Sequence, residues 1–354
     1  MNIPGLINKR MANQQLSEPH HSTIKKLVSY MGALQAQDFA MSKWAIGLRM
    51  NAITESAVEA AINKGDIIRT HALRPTWHLV AADDVYWMLE LTAPAIKARM
   101  KTNDKKLEIT EALYKKTNKI IEKALEKSQL SRDELMQELE KKKIVITENR
   151  SSHFLMHAEL DGIICSGKVN NNKHSYALLS ERVKMKKAFT KEEALHELAV
   201  RYFQSHGPAK VSDFMWWSGL TGKAAANAVA TFGKSFIKES FRKETYWLKS
   251  DAKPAINKNK IALLPAYDEY IISYNDRNAI VENEAAKKVI SSNGIFWPVI
   301  LINGKVAGKW SRKITNDEVK INADFFASVP ASIKTKFKKQ ALAYAKFLNK
   351  KLVD

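Results

Sequence analysis

The sequence predicts an α+β chain built from repeated helical units that each end in a two-stranded hairpin, followed by a β-rich C-terminal part. Three observations predict it. Apolar residues recur at helical spacing and then give way to β-branched and aromatic runs split by turn residues, and this change of period recurs along the chain. From about Lys253 the texture shifts to short β-rich segments. At 354 residues the chain is too long for one small core and suits roughly two to four compact units.

In the first unit, residues 1–105, "STIKKLVSYMGAL" sets Ile24, Leu27, Val28, Met31 and Leu34 in one apolar stripe after a Ser22/Thr23 start signal. A second helix follows Asp38 with Phe39, Met41, Trp44, Ala45 and Leu48, and a third runs from Thr54 to a stop at Gly65. "DIIRTHALRPTWHLV" then reads as a hairpin turning at Arg74 and Pro75, with Arg69, His71 and Arg74 on its exposed face. Three helices followed by a two-stranded wing is the order of a winged helix-turn-helix.

That order returns in residues 106–188. Ser131 and Glu134 stand in capping-box spacing, a second helix carries Phe154, Leu155 and Ala158, and Gly162 ends it. "GIICSGKVNNNKHSYALL" gives the second wing, tipped by Lys168, Lys173 and His174. The third unit, residues 189–252, opens on a capping box through Thr190 and Glu193. In "VSDFMWWSGLTGKAAANAVATFG" a short glycine-containing turn joins two helices, and "SFIKESFRKETYWL" supplies the strands. Residues 253–354 hold "KIALLPAYDEYIISY", "GIFWPVILINGKVAGKW" and "EVKINADFF", with Asn303-Gly304 as a hairpin turn. A small β-barrel or curled sheet is expected, capped by a last helix from Ser332 with apolar residues on one face and lysines on the other.

Charge gives the chain its partner class. Lys and Arg number 57 against 37 Asp and Glu, a formal net charge of +20 that draws a protein toward a polyanion, most commonly nucleic acid. The plain alternative is solvated helix faces, since much of the excess sits in runs such as "KKKIV", "KMKK" and "KKQALAYAKFLNKK". No apolar run approaches the length of a membrane span, and the N-terminus shows no charged start before an apolar core. One cysteine, Cys165, excludes an internal disulfide and suits a reducing cytoplasm.

Familiar catalytic arrangements are absent: there is no glycine-rich phosphate loop, no HExxH and no paired-cysteine zinc signature. No metal or cofactor is expected. His20 and His21 are read as part of a polar tail, Cys165 as core, and the tryptophans of "FMWWSGL" as core rather than a base-stacking platform. What remains is "LQAQD". Gln35 and Gln37 flank Ala36 where an apolar helix runs out, and in an extended segment residues i and i+2 project the same way. A neutral amide offers one acceptor and two donors, a weak base but a good positioner of water. Surface polarity is the competing reading for the pair, and Asp38 reads either as the N-cap of the next helix or as a participant in chemistry.

"LQAQD" before a tryptophan-bearing helix, "RTHALRPTWHLV", "HGPAKVSDFMWWSGL" and "LLPAYDEYIISYNDR" occur in this order over nearly the whole chain, and together they resemble the winged-helix DNA glycosylases of the YcaQ/AlkZ type. The resemblance implies three tandem winged helices and a C-terminal β-barrel forming a C-shape around duplex DNA. The family's catalytic element is Gln, one apolar residue, then Gln or Asp, so Gln35 and Gln37 are the implied catalytic residues. They resemble the branch that removes bulky alkylated purines, including those in interstrand crosslinks. Arg69, His71, Arg74, Lys168, Lys173 and His174 are candidate DNA contacts, with solvated wings as the alternative. Tyr267, Asp268 and Arg277 resemble a family signature, although Asp268 and Arg277 also read as a structural pair. The expected protein is a monomeric, monofunctional, nucleoid-associated cytoplasmic enzyme acting on duplex DNA with alkylated purines, without membrane attachment. The competing readings are a non-enzymatic DNA-binding regulator and a protein-docking scaffold.

Overall fold

The computed structural model describes residues 1–170, 173–184, 188–251 and 260–353, with the side chains of 170 and 173 left out. The asparagine-rich turn of the second wing at 171–172 and the expected boundary at Lys253 lie outside the described residues.

One element order, helix, short strand, helix, helix and hairpin, occurs twice, and a third instance varies it. First come α2 (Ile24–Met31), β1 (Leu34–Gln35), α3 (Phe39–Gly47), α4 (Glu55–Lys64), β2 (Ile67–Ala72) and β3 (Thr76–Ala81), preceded by α1 (Ile3–Asn13). The second instance is α6 (Glu111–Leu125), β4 (Leu130–Ser131), α7 (Arg132–Lys141), α8 (Arg150–Leu160), β5 (Ile164–Asn170) and β6 (Lys173–Leu178), reached through the long α5 (Val85–Lys106). The sheets run β1-β3-β2 and β4-β6-β5, so in both the short strand joins the far side of the hairpin. After α9 (Leu179–Arg182) the third instance has α10 (Lys191–His206), α11 (Val211–Ser218), α12 (Gly222–Ala230), β7 (Phe236–Phe241) and β8 (Glu244–Lys249). Here a single bridge from Ala209 to Trp247 takes the place of the short strand.

Local chemistry explains these elements. Thr23, Thr54 and Thr110 each cap a helix through the side-chain oxygen, and both expected capping boxes, Ser131/Glu134 and Thr190/Glu193, are formed. Gly65 ends α4 at φ 83°, a left-handed position that suits glycine. The polar-tail reading of the N-terminus misses α1, which starts at an Asn2 cap and buries Leu6, Ile7, Arg10 and Met11.

The C-terminal part contains β9 (Ile261–Leu264), α13 (Glu269–Ile272), α14 (Asn283–Val289), β10 (Val299–Ile302), β11 (Lys305–Ile314), β12 (Glu318–Phe325), α15 (Ala331–Phe347) and β13 (Lys351–Val353). Its sheet runs β13-β12-β11-β10-β9, and β9 and β13 are not paired with each other. The barrel expected here is therefore an open, curled sheet. α15 covers one face, and its Tyr344 and Phe347 meet Trp44 of α3 at ring distances of 5.0 and 5.1 Å. The Trp44 indole donates to Leu263 O at 2.8 Å, so the first unit and the C-terminal sheet share one core. Among the described residues no helix is long and apolar enough to cross a membrane.

Candidate active site and nucleic-acid interface

The Gln-Ala-Gln segment is the step from β1 into α3. Gln35 pairs with His78 across the sheet, and the Ala36 N–H still donates to Trp77 O at 2.7 Å. Two residues later Asp38 caps α3 by accepting the Met41 N–H at 3.0 Å, so the cap reading of Asp38 has a geometric basis. A strand fixes one end of the motif and a helix cap the other. Between them the two amides differ sharply: Gln35 is 8 % exposed, whereas Gln37 is open to solvent.

The buried half is held by partners brought from elsewhere in the chain. The Gln35 N–H donates to Glu269 Oε1 at 2.7 Å, and Arg74 Nη2 donates to the Gln35 side-chain Oε1 at 2.9 Å. Ala36 O accepts from Arg69 Nε at 3.1 Å and Nη2 at 3.0 Å. The Arg69 guanidinium lies 4.5 Å from the Trp77 ring centre and 5.6 Å from that of Phe39. Arginine carries donors only, so the Arg74 bond fixes the orientation of the Gln35 amide: its oxygen is turned to Arg74 and its NH2 away from it.

Glu269 is the buried hub behind this arrangement. Its carboxylate also accepts from Trp217 Nε1 at 3.1 Å and from the Ser273 hydroxyl, with His206 Nε2 3.6 Å away. Burial pushes this carboxyl up, but His206, Ser273 and the nearby His78 outweigh it and hold it at about 2. His78 goes the opposite way. Burial, together with the Arg74 charge, lowers its imidazole to about 3, so it is neutral, with Nδ1 2.8 Å from Thr76 O. Neighbouring Asp268 takes a two-pronged bond from Arg49, 2.8 Å at each oxygen, and both side chains are fully buried. The Asp268–Arg277 pair entertained from the sequence is corrected to Asp268–Arg49.

The expected groove contacts need a larger correction. Arg69 and His71 do not lie on an exposed face; they are 9 % and 5 % exposed because the second unit covers this hairpin. Arg69 N–H donates to Ser166 Oγ at 3.1 Å, and both the backbone N–H and the ring Nδ1 of His71 meet Glu159. Arg74 gives one donor, Nη2, to Gln35. His174 turns inward, its ring edge-on to Phe39 at 4.1 Å, and burial beside Arg69 and Lys43 lowers it to about 4. Lys168 is exposed, and the Lys173 side chain lies outside the described residues. Thus Arg69 and Arg74 hydrogen-bond the glutamine motif, and His174 packs on Phe39 just beyond it.

Sequence reasoning missed Glu269, Arg49 and the exposure of Trp216, and took Cys165 correctly as buried. Adjacent acids in "YDEY" amid apolar residues were the available signal, because buried carboxylates need buried donors. Among the described residues no cluster of three or more His, Cys, Asp or Glu side chains is placed to hold a metal ion.

Residues 28–347 match the family model of the AlkZ-like DNA glycosylases. An interstrand DNA cross-link repair glycosylase from Streptomyces sahachiroi is 21 % identical over 323 residues, covering 85 % of each chain. The solved structure of the Streptomyces sahachiroi DNA glycosylase AlkZ superposes with a TM-score of 0.81 at 18 % identity, covering 100 % of both chains.

Proposed function

The chain belongs to the AlkZ-like DNA glycosylases, and on that premise we propose that it hydrolyses the N-glycosidic bond of cationic N7-alkylated purines in duplex DNA, with Gln35 and Gln37 as the catalytic residues. The observation that carries the reading is the fixed orientation of Gln35: Arg74 on its side-chain oxygen and Glu269 on its backbone N–H, beside an open Gln37.

An N7-alkylated purine already carries positive charge, so its bond to C1′ breaks with the electron pair passing to the base and no acid is required. What the protein must supply is a water held beside C1′ and dipoles suited to a developing oxocarbenium ion. Gln37 Oε1 accepts a hydrogen bond from that water as its oxygen bonds to C1′, and the released proton passes to solvent. Gln35 presents its NH2 donors to an oxygen of the sugar or the adjoining phosphate. The products are a free neutral alkylpurine and an abasic site, without strand cleavage.

The three repeated units, 1–105, 106–188 and 189–252, act on this reading as winged helix-turn-helix modules that form a C-shape around the duplex with the C-terminal part, 253–354. The name of the Streptomyces relative extends the substrate range to interstrand crosslinks, where a base tied to the opposite strand cannot swing freely into a deep pocket. The enzyme works as a monomer in the cytoplasm at the nucleoid.

The test is incubation with duplexes carrying 7-methylguanine or an N7-linked interstrand crosslink, with abasic sites detected by alkali. Wild type is expected to release base, and Gln35→Ala and Gln37→Ala each to slow single-turnover release by about 100-fold. Undiminished rates in both variants, with intact binding, would overturn the assignment. Tight binding by the wild type with no release would instead leave a non-enzymatic DNA-binding protein.

A further inference from the structure

Trp216 stands apart from its neighbour. Trp217 is fully buried, whereas Trp216 is 41 % exposed, one of few large apolar side chains that open to solvent. The sequence reading of both as core is corrected for Trp216. It is held rather than loose, because its indole Nε1 donates to Ile272 O at 2.8 Å.

Two guanidinium groups lie close to this indole. The Arg277 centre lies 5.2 Å from the Trp216 ring centre and the Arg74 centre 5.8 Å from it, and Arg277 is also 5.2 Å from the Phe296 ring. Neither arginine has an ion-pair partner among the described residues: Arg74 donates to the neutral Gln35 amide, and Arg277 to Ile271 O at 2.8 Å. Burial and the Arg74 charge lower Arg277 to about 10, which leaves it charged at neutral pH. Asp213 and Asp276 act on Arg277 and Glu269 on Arg74 only at a distance, so neither guanidinium has a carboxylate bonded to it and both keep donors for an anion, while the aromatic ring near them supplies a π-face.

We propose that Trp216, Arg277 and Arg74 form the binding site for one nucleotide of the strand under attack, with its phosphate at the two guanidinium groups and its base or sugar against the exposed indole. The site rests on the glycosylase reading for its ligand class, and Arg74 ties it to the active site by holding Gln35 at the same time. Stacking of this kind is sequence-tolerant, as suits an enzyme that follows damage rather than sequence.

The experiment measures the affinity of the full chain for a duplex containing a tetrahydrofuran abasic analogue, by fluorescence anisotropy from about 50 to about 200 mM salt. Trp216→Ala is expected to weaken binding about tenfold at every salt concentration without changing the salt slope, and Trp216→Phe to keep most of the affinity. Arg277→Ala is expected to flatten the slope of log Kd against log salt by about 0.9, and Arg277→Lys to restore it. Wild-type affinity in Trp216→Ala, or a wild-type slope in Arg277→Ala, overturns the site. Base release from 7-methylguanine duplex is followed on the same preparations. Its absence in the wild type would overturn the glycosylase reading while the binding measurements still decide the nucleotide site.

Discussion

One end of the Gln35 amide is already engaged when DNA arrives. Arg74 takes its oxygen and Glu269 takes its backbone N–H, so both the position and the direction of its donors are set in the free protein. Glu269 is the more exacting of the two braces, because its oxygens face the N–H groups of Gln35 and Trp217 and the Ser273 hydroxyl. Replacing it by glutamine puts an NH2 among donors. Glu269→Gln is expected to cost about 1–3 kcal/mol of stability, read by urea denaturation. It should also slow single-turnover base release by about 10- to 100-fold while duplex affinity changes little, since a small displacement of a positioned group is felt in the rate. A variant that loses stability but releases base at the wild-type rate would reduce Glu269 to a structural role. The two glutamines were legible in the sequence because their spacing is local. Their braces were not: Glu269 reaches Gln35 across 234 residues of chain, and a buried carboxylate in an apolar run does not name its donor.

The hairpin β2–β3 carries the same lesson at the scale of elements. Its strands and its turn were legible from the change of period and from Pro75, but a face that looks solvent-directed in sequence can equally face another unit. Here Ser166 and Glu159 of the second unit cover it, and the third unit meets its turn. The contact at the turn is close: a Cβ added at Gly219 would sit 2.7 Å from Leu73 O, and Arg99 of α5 supports the same residue by donating Nη2 to Gly219 O at 2.9 Å. Gly219 also lies at φ 71°, in the left-handed region that disfavours a side chain. Gly219→Ala is thus expected to destabilise the protein by about 1–3 kcal/mol, from strain and from the lost fit together. Because Gly219 ends the helix that sets Trp216 beside Arg74, base release should fall as well. A differential scanning calorimetry trace unchanged from wild type would show that this junction tolerates displacement. Short strands such as β4, and α1 with an arginine on its buried face, were beyond sequence reasoning because neither shows a clean apolar period.

Across the whole molecule the +20 charge and the buried titrating groups push stability the same way with pH. His78 is lowered from 6.5 to about 3 and His174 from 6.5 to about 4, both chiefly by burial, so the unfolded chain binds these protons first as pH falls. Their contribution is complete above pH 6.5 and is lost as the pH drops toward 4 and then 3. Glu269, held at about 2 against 4.5, and Asp161, held at about 2 against 3.8 by His157 and Lys97 despite burial, favour the folded state above those ordinary values and cease to do so on further acidification. Protonation also raises a positive charge that already repels itself, which adds to the loss. Thermal unfolding followed by circular dichroism should therefore show a Tm that declines steadily below about pH 6.5, with no recovery at lower pH. The decline should be shallower in His78→Gln, provided that variant still folds, because a side chain that cannot take up a proton removes the first step. A Tm that peaks near pH 5 would mean that His78 and His174 are charged in the folded protein, and with a charged His78 the electrostatic setting of Gln35 would have to be redrawn.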